Sequence, residues 1–218
     1  MRHAHLDFLL SCLYDDSLQP EHADDLAKSG ITEETRRAQK IRTVPPHMIN
    51  QLAGFRVPAS VLSAYVIPYP SPTGGFMPHV RMKVFPPITE DDGPTLKYIQ
   101  PPRSGVRVFF ALATLHSVLH LDAPLWLVEG EKKALAVAQR GLPTAGIAGI
   151  NAWTMAGTGR LHPDFDAIPL MGRVVEMVPD SDWQTHPRVR AAVSALATAL
   201  AGAGAKPRIV VLPDRISA

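Results

Sequence analysis

Carboxylates that follow apolar stretches are the residues in this sequence best suited to chemistry. Glu129 and Glu131 follow LWLV, and Asp180 and Asp182 follow VVEMVP. Residues two apart point the same way in an extended segment, so Asp180-Ser181-Asp182 is expected to present two carboxylates to one point. Such like charges repel unless a cation lies between them, and Mg²⁺ prefers carboxylate oxygens and leaves positions open for phosphate. Binding of a divalent metal is therefore a physical reason to gather carboxylates here.

The elements that must position these carboxylates are predicted from residue 124 onwards. Four apolar stretches are typical of buried strands: LWLVEG, PTAGIAG, GRVVEMVPDSD and KPRIVVLPD. Two others have the apolar spacing of helices: EKKALAVAQRG and HPRVRAAVSALATALAGAGA. Apolar strands that alternate with helices predict an α/β domain in which a parallel sheet has helices on both faces. Ligands bind at the carboxyl ends of such strands, so the clusters at Glu129, at Asp180 and at Asp214 are expected at one edge.

Each acidic cluster taken alone has a simpler explanation. Acidic residues at a strand-to-helix junction also cap helices or stabilise the positive helix end. The occurrence of three clusters on one predicted edge favours the metal site. Glu129, at the strand end, is then expected to face Asp180 and Asp182, whereas Glu131 is expected to stabilise the start of the following helix.

Backbone groups after the second of these strands are a further candidate. The stretch AGIAGINAW, residues 145–153, combines glycines with Asn151, and its N–H groups would be able to cradle a phosphate. A tight turn explains the same residues equally well.

The sequence before residue 121 predicts two further parts. Residues 20–44 favour two short helices, the second capped by Thr32. Prolines crowd between Pro45 and Pro102, and turn formers separate the β-rich pieces SAYVIPY, HVRMKVF, LKYIQ and VRVFF, which predicts an antiparallel arrangement. We expect a helical N-terminal unit at 1–58, a β-rich basic subdomain at 59–120 and the α/β domain at 121–218.

Bulk composition excludes some classes of protein. The formal charge is +2, from 22 Lys and Arg against 20 Asp and Glu, which argues neither for nor against a polyanionic partner. The single cysteine, Cys12, excludes an internal disulfide and a zinc ribbon of several thiolates, which fits a reducing compartment. The sequence has no run of about 18 apolar residues, and FLLSCLY lacks the features of a leader, so we expect a cytoplasmic protein without membrane binding.

The order of elements from residue 124 resembles the Toprim domain of bacterial primases, topoisomerases, recombination mediators and some nucleases. It consists of a strand that ends in Glu129, a helix, and a later strand that ends in Asp-x-Asp. Upstream, YVIPYPSPTGG, Arg81 and LKYIQPPRSG occur in the order seen in bacterial replicative primases of the DnaG type. The strings EGEKKA and KYIQPP are most similar to the primase-like Toprim proteins that plasmids and phages carry. The same proteins have an N-terminal HxxDLxxSGxxxE segment, which is formed here by His22, Asp25, Leu26, Ser29, Gly30 and Glu34.

This resemblance implies metal-dependent nucleotidyl transfer in plasmid- or phage-type replication. Glu129 would act as general acid/base or metal ligand, and Asp180 and Asp182 would hold Mg²⁺ or Mn²⁺. The substrates would be nucleotides and a single-stranded nucleic-acid template, and the partner a replicative helicase or a further part of the same polypeptide. Five basic residues would contact phosphate or template: Arg81, Lys97, Arg103, Lys132 and Lys133. For the two adjacent lysines, a solvated helix face is the alternative.

Departures from the primase pattern leave two other functions open. The sequence has no cysteine-rich zinc ribbon, no helicase motif and no Gly-x-x-x-x-Gly-Lys phosphate loop. Only four residues follow Asp214, so we expect either a reduced third acidic cluster or a piece of a longer protein. The alternatives are a non-catalytic Toprim domain that binds nucleic acid or a replication partner, and a Toprim nuclease with the same acidic site.

Overall fold

The computed structural model describes residues 9–11, 13, 18–89, 95–155 and 158–212, and for Asp182 it describes the backbone only. Cys12 and Asp214 lie outside the described residues. The chain divides into two compact units, Met1–Gly105 and Val106–Ala218. The three-part division with boundaries after residues 58 and 120 stays a prediction. Within the described residues, no helix has the length and apolar character needed to cross a membrane.

The sheet of the first unit is antiparallel, with helices beside it. Helices α1 (Pro20–Ala27) and α2 (Glu33–Ala38) confirm the two predicted helices, and the Thr32 side chain accepts a hydrogen bond from the Thr35 N–H as the predicted cap. The elements that follow are β1 (Arg42–Val44), α3 (Pro46–Ala53), β2 (Ser63–Pro70), β3 (Phe76–Ile88) and β4 (Leu96–Ile99). The strand order is β1-β2-β3-β4. β1 has only three residues, too few for a periodic pattern that predicts a strand.

One face of this sheet forms the core of the first unit. Alternate residues of β2 and β3 are fully buried there, such as Val66 opposite Met82. They pack against the apolar side of α3, which includes Ile49 and Leu52. α1 contacts the opposite face through Asp25. These side chains share one face because residues two apart in a strand point the same way.

The sheet of the second unit is mostly parallel. Its elements are β5 (Val108–Phe110), α4 (Leu115–His120), β6 (Leu125–Glu129), α5 (Glu131–Ala138), β7 (Thr144–Ile147), β8 (Val174–Val178), α6 (Pro187–Gly202) and β9 (Lys206–Ile209). The strand order is β5-β7-β6-β8-β9, in which β7, β6, β8 and β9 pair in parallel. The predicted α/β fold class, with a parallel-sheet domain after a β-rich part, is confirmed.

The prediction that VRVFF belongs to the antiparallel β-rich part is wrong. β5 pairs antiparallel with β7 in the second sheet, with Val108 opposite Ile147. A run of three buried residues has no period that assigns it to one sheet or the other. β5 is therefore an edge strand of the sheet that carries the acidic clusters.

Both faces of the second sheet are covered. Leu127 and Val128 are neighbours in β6 and point to opposite faces, and both are buried. α5 lies very close to β7, because a methyl group added to Gly146 would come within 3.1 Å of the Ala134 Cβ. This packing fixes the carboxyl end of β6, where Glu129 lies, relative to the helix that follows it.

Candidate metal and phosphate site

Glu129 and Asp180 follow adjacent parallel strands. β6 and β8 are in register from Leu125 opposite Val175 to Val128 opposite Val178. Glu129 is the last residue of β6, and Asp180 follows the last residue of β8 by two positions. The register therefore brings the two carboxylates to the same edge of the sheet.

Backbone N–H groups hold the Glu129 carboxylate. Its Oε1 accepts a hydrogen bond from the Ile150 N–H at 3.2 Å, and the Asp180 N–H also donates to it. Ile150 belongs to the stretch for which the sequence suggests a phosphate cradle. In the structure this N–H donates to Glu129, a contact that sequence reasoning missed because Ile150 lies 21 positions later, in a loop that has no regular period.

Burial and a like charge raise the pKa of Glu129. Burial is the larger cause, and the negative charge of Asp180 raises the pKa further. The hydrogen bond from the Ile150 N–H and the positive charge of Lys133 lower the pKa of Glu129, but by less. The cavity next to Glu129 is mainly apolar and is lined by Leu127, Ile147, Ile150, Met177, Val178, Pro179 and Leu196. A carboxyl group with a raised pKa is suited to proton transfer, so this environment is compatible with a general acid or base.

Lys133 is the cationic partner of Asp180. Its ammonium group extends from the first turn of α5 and donates to Asp180 Oδ1. Its charge also lowers the pKa of Glu129. Lys133 thus partly neutralises two carboxylates of like charge. Lys132, one residue earlier, is half-buried, and its predicted contact with phosphate stays a prediction.

The backbone after β8 is not extended at the Asp-x-Asp sequence. Ser181–Gln184 form a 3₁₀ turn, and the Trp183 N–H donates to the Asp180 carbonyl at 3.1 Å. The expectation of an extended Asp180-Ser181-Asp182 segment is therefore wrong. Serine and aspartate favour such turns because their side chains compete for local backbone hydrogen bonds. The Asp182 side chain is outside the description, so its role as a metal ligand stays a prediction.

Glu131 lies at the start of α5, as expected. It is the first residue of the helix, and its side chain is buried. Gly130 before it has φ of +92°, a left-handed conformation that few other residues adopt. An acidic residue in the first turn stabilises the positive end of a helix. The two glutamates of EGE therefore differ in position, one at the strand end and one inside the helix.

The donors at this edge are chemically suited to a hard divalent cation. Glu129 and Asp180 supply carboxylate oxygens, which suit Mg²⁺ and Mn²⁺. An ammonium group already lies against Asp180, so this carboxylate attracts positive charge. Among the side chains that are described, which exclude that of Asp182, there is no group of three or more His, Cys, Asp or Glu able to hold a metal. A divalent cation bound here would therefore need Asp182, substrate or water as a further ligand.

The basic residues predicted for the β-rich part occupy different positions in the first unit. The Arg81 guanidinium lies 4.8 Å from the centre of the Tyr98 ring. Lys97 precedes Tyr98 in β4, and consecutive strand residues point to opposite faces. Arg103 is exposed in the turn after β4, with φ of +62°. Proteins that bind single strands often combine an arginine with an aromatic ring on which bases stack. Of Arg81, Lys97 and Arg103, only Arg81 lies against an aromatic ring in the described structure.

The HxxDL segment joins α1 to strands β1 and β2 by hydrogen bonds. His22 is buried, and its ring nitrogens hydrogen-bond to Thr43 Oγ1 at 2.8 Å and to Ser63 Oγ at 3.1 Å. Burial lowers the pKa of His22. The segment that supported the resemblance therefore has a structural role in this chain.

Asp25 and Lys83 form an ion pair that the sequence analysis missed. Asp25 also accepts a hydrogen bond from the Tyr65 hydroxyl at 2.8 Å. Burial is the main cause that raises the pKa of Tyr65, so its hydroxyl stays protonated and donates. No local pattern predicts these contacts, because Asp25 and Lys83 are 58 residues apart.

Comparisons with known proteins support the fold. A family model described as "Domain of unknown function (DUF3854)" matches residues 116–217. No curated protein matches the chain.

Two solved structures are similar to this chain. A crystal structure of the zinc-binding and RNA polymerase domains of the Aquifex aeolicus primase matches with a TM-score of 0.67 at 17% identity, over 98% of this chain and 55% of that chain. A structure of the DnaG catalytic core matches with a TM-score of 0.63 at 20% identity, over 99% of this chain and 73% of that chain. The chain thus spans about half the length of the Aquifex primase structure, and it has the fold of a primase catalytic core.

Proposed function

We propose that this chain is a primase-like Toprim protein that transfers nucleotides in a metal-dependent reaction on nucleic acid. We base this on the two carboxylates, Glu129 and Asp180, that follow adjacent parallel strands in a chain with a primase-core fold. Parallel sheets bind ligands at this edge. The strings EGEKKA and KYIQPP support replication of the plasmid or phage type.

The residues of this edge have distinct roles in the proposal. Asp180 and Asp182 bind Mg²⁺ or Mn²⁺, which supplies charge neutralisation of phosphate oxygens. Glu129 either joins them as a ligand or exchanges a proton at its carboxylate, for which its raised pKa is suited. Lys132 and Lys133 contact phosphate groups. Arg81, Lys97 and Arg103 bind the backbone of the template or the phosphates of a nucleotide.

The substrates in this proposal are nucleotides and a single-stranded template. A replicative helicase, or a further part of the same polypeptide, is the proposed partner. The basic residues of the first unit would bind the template mainly through its phosphates, so template binding is expected to weaken as salt concentration rises.

An assay of primer synthesis tests the proposal. Wild type, Glu129→Gln and Asp180→Asn are incubated with labelled nucleotides, a single-stranded template and Mn²⁺. We expect an extended product with wild type and a loss of about 100-fold or more in either variant, because each change removes charge from the reacting site. An Asp166→Asn variant, which changes an exposed aspartate of a 3₁₀ turn, serves as control and should retain activity.

Other outcomes of the same assay would indicate the alternative functions. A shortened template would indicate a nuclease. Template binding without turnover, unchanged in Glu129→Gln and Asp180→Asn, would indicate a binding domain without catalysis. Either result would contradict the proposed nucleotidyl transfer.

A further inference from the structure

Lys133 occupies a position that is unfavourable for a lysine. It is the third residue of α5, within the first turn. The exposed N–H groups at this end of a helix carry partial positive charge, so acidic residues are preferred there and basic ones are disfavoured. A negative charge from elsewhere in the fold stabilises a lysine at such a position.

Asp180 supplies that charge from a different strand. The Lys133 ammonium donates to Asp180 Oδ1 across 47 positions of sequence. The contact joins the start of α5 to the end of β8, so it depends on the folded sheet edge and not on neighbours within the helix. Lys133 also acts electrostatically on Glu129, and thus a single ammonium group serves both carboxylates of the edge.

The ion pair is open to exchange with solvent. The Lys133 and Asp180 side chains are 55% and 45% exposed. A pair with this exposure contributes little to stability and is weakened by salt, because water screens both charges. A divalent cation, with twice the charge of the ammonium and a preference for carboxylate oxygens, is able to replace it.

We propose that Lys133 is the exchangeable counter-ion of this site: it neutralises Asp180 while the site is free of metal, and it is released to bind phosphate when a divalent cation takes that carboxylate. This inference rests on the proposed metal site. The released ammonium stays on the first turn of α5, beside the edge at which a phosphate would arrive. Lys133 therefore weakens the binding of the metal to the free site, and it strengthens the binding of phosphate once the metal is bound.

Titration of the full chain with Mn²⁺ tests the first effect. In Lys133→Met, Mn²⁺ no longer competes with the ammonium, so we expect binding to become about two- to fivefold tighter, the range of an exposed ion pair. Lys133→Arg keeps the positive charge and should bind as wild type does. Arg140→Gln removes one exposed positive charge just after the same helix and should change Mn²⁺ affinity little.

Titration of the Mn²⁺-saturated protein with ATP tests the second effect. Lys133→Met should bind ATP about tenfold more weakly, because a charge-assisted contact to phosphate is lost, whereas Lys133→Arg should retain most of the affinity. Unchanged or weaker Mn²⁺ binding in Lys133→Met, or unchanged ATP binding, would overturn the inference and leave Lys133 as a structural tie between α5 and β8.

Failure of the inference differs from failure of the metal site itself. If wild type binds Mn²⁺ and Asp180→Asn does not, but Lys133→Met behaves as wild type, only the role of Lys133 is wrong. If wild type binds no Mn²⁺ at millimolar concentration, both the metal site and the exchange at Lys133 are wrong.

Discussion

Glu129 has surroundings that disfavour its negative charge. One side borders an apolar cavity, and Asp180 adds a like charge from the neighbouring strand. Two backbone N–H groups and the Lys133 ammonium compensate only in part, since the pKa of Glu129 remains raised. Proteins retain such unfavourable charges where function requires them, and the resulting loss of stability is a measurable sign of a functional residue.

Glu129→Gln is expected to stabilise the folded chain at neutral pH. A carboxyl group whose pKa is raised by folding favours the folded state below its unfolded pKa, and that contribution is lost as the pH rises through its folded pKa. Glutamine stays neutral at every pH, so the melting temperature of the variant should exceed that of wild type by a few degrees at about pH 7. The difference should shrink as the pH falls and disappear well below the ordinary glutamate pKa of about 4.3, where Glu129 is protonated in both the folded and the unfolded chain.

Differential scanning calorimetry without divalent metal measures this effect. Glu34→Gln changes an exposed glutamate of α2 and controls for the general loss of a negative charge. A lower melting temperature of Glu129→Gln at neutral pH would show that the carboxylate stabilises the fold, contrary to the environment described here.

Secondary-structure elements with a long apolar pattern or a clear helix cap were predictable, and the pairing of the three-residue strands was not. β6, α5 and α6 follow directly from apolar runs and helical spacing, and the short helix α2 follows from its Thr32 cap and the acidic residues of its first turn. β1 and β5 have three residues each, and sequence carries no signal for their pairing partners. The 3₁₀ turn after Asp180 was missed because an Asp-x-Asp sequence is compatible both with an extended segment and with a turn. The edge position of the carboxylates was therefore predictable, whereas their mutual orientation was not.

Gly146 in β7 is expected to be intolerant of even a methyl group. An alanine there would place its Cβ 3.1 Å from the Ala134 Cβ, so α5 would have to shift by a few tenths of an ångström; the 3.4 Å to the Phe109 Cβ is close to ordinary contact. We expect Gly146→Ala to cost about 1–2 kcal/mol in the free energy of unfolding, measured with urea. Gly202→Ala, in α6 with no atom near the added methyl group, should be neutral or stabilising by up to about 1 kcal/mol.

The pair of substitutions has opposite expected signs. Equal stability of Gly146→Ala and Gly202→Ala would show that β7 and α5 are less tightly packed than described. Addition of Ala134→Gly to Gly146→Ala removes the opposing methyl group, but it also places glycine inside a helix. Partial recovery is therefore expected if the close approach is the cause.

On the scale of the whole molecule, the two units have different parts of the proposed function. The second unit, Val106–Ala218, contains Glu129, Lys133 and Asp180, and the first contains the basic residues proposed to bind template. The boundary predicted from sequence, at residue 121, leaves out β5. Because Val108, Phe109 and Phe110 are fully buried, the second sheet should need them for stability.

Two fragments distinguish the boundaries. We expect residues 106–218 to fold with a cooperative thermal transition, and residues 121–218 to melt at least about 10 °C lower or not to fold, since the shorter fragment exposes the edge of β7 and loses two buried phenylalanines. Circular dichroism during heating measures both. Equal melting temperatures would favour the boundary after residue 120.

The metal site is the central claim, and binding of Mn²⁺ to the full chain tests it most directly. Isothermal titration calorimetry on wild type, Asp180→Asn and the control Asp166→Asn would measure the three affinities side by side. We predict binding to wild type and to Asp166→Asn at millimolar Mn²⁺ or below, and affinity at least about tenfold weaker for Asp180→Asn. Absence of Mn²⁺ binding to wild type, or equal affinity in Asp180→Asn, would contradict the assignment of this sheet edge as a metal site.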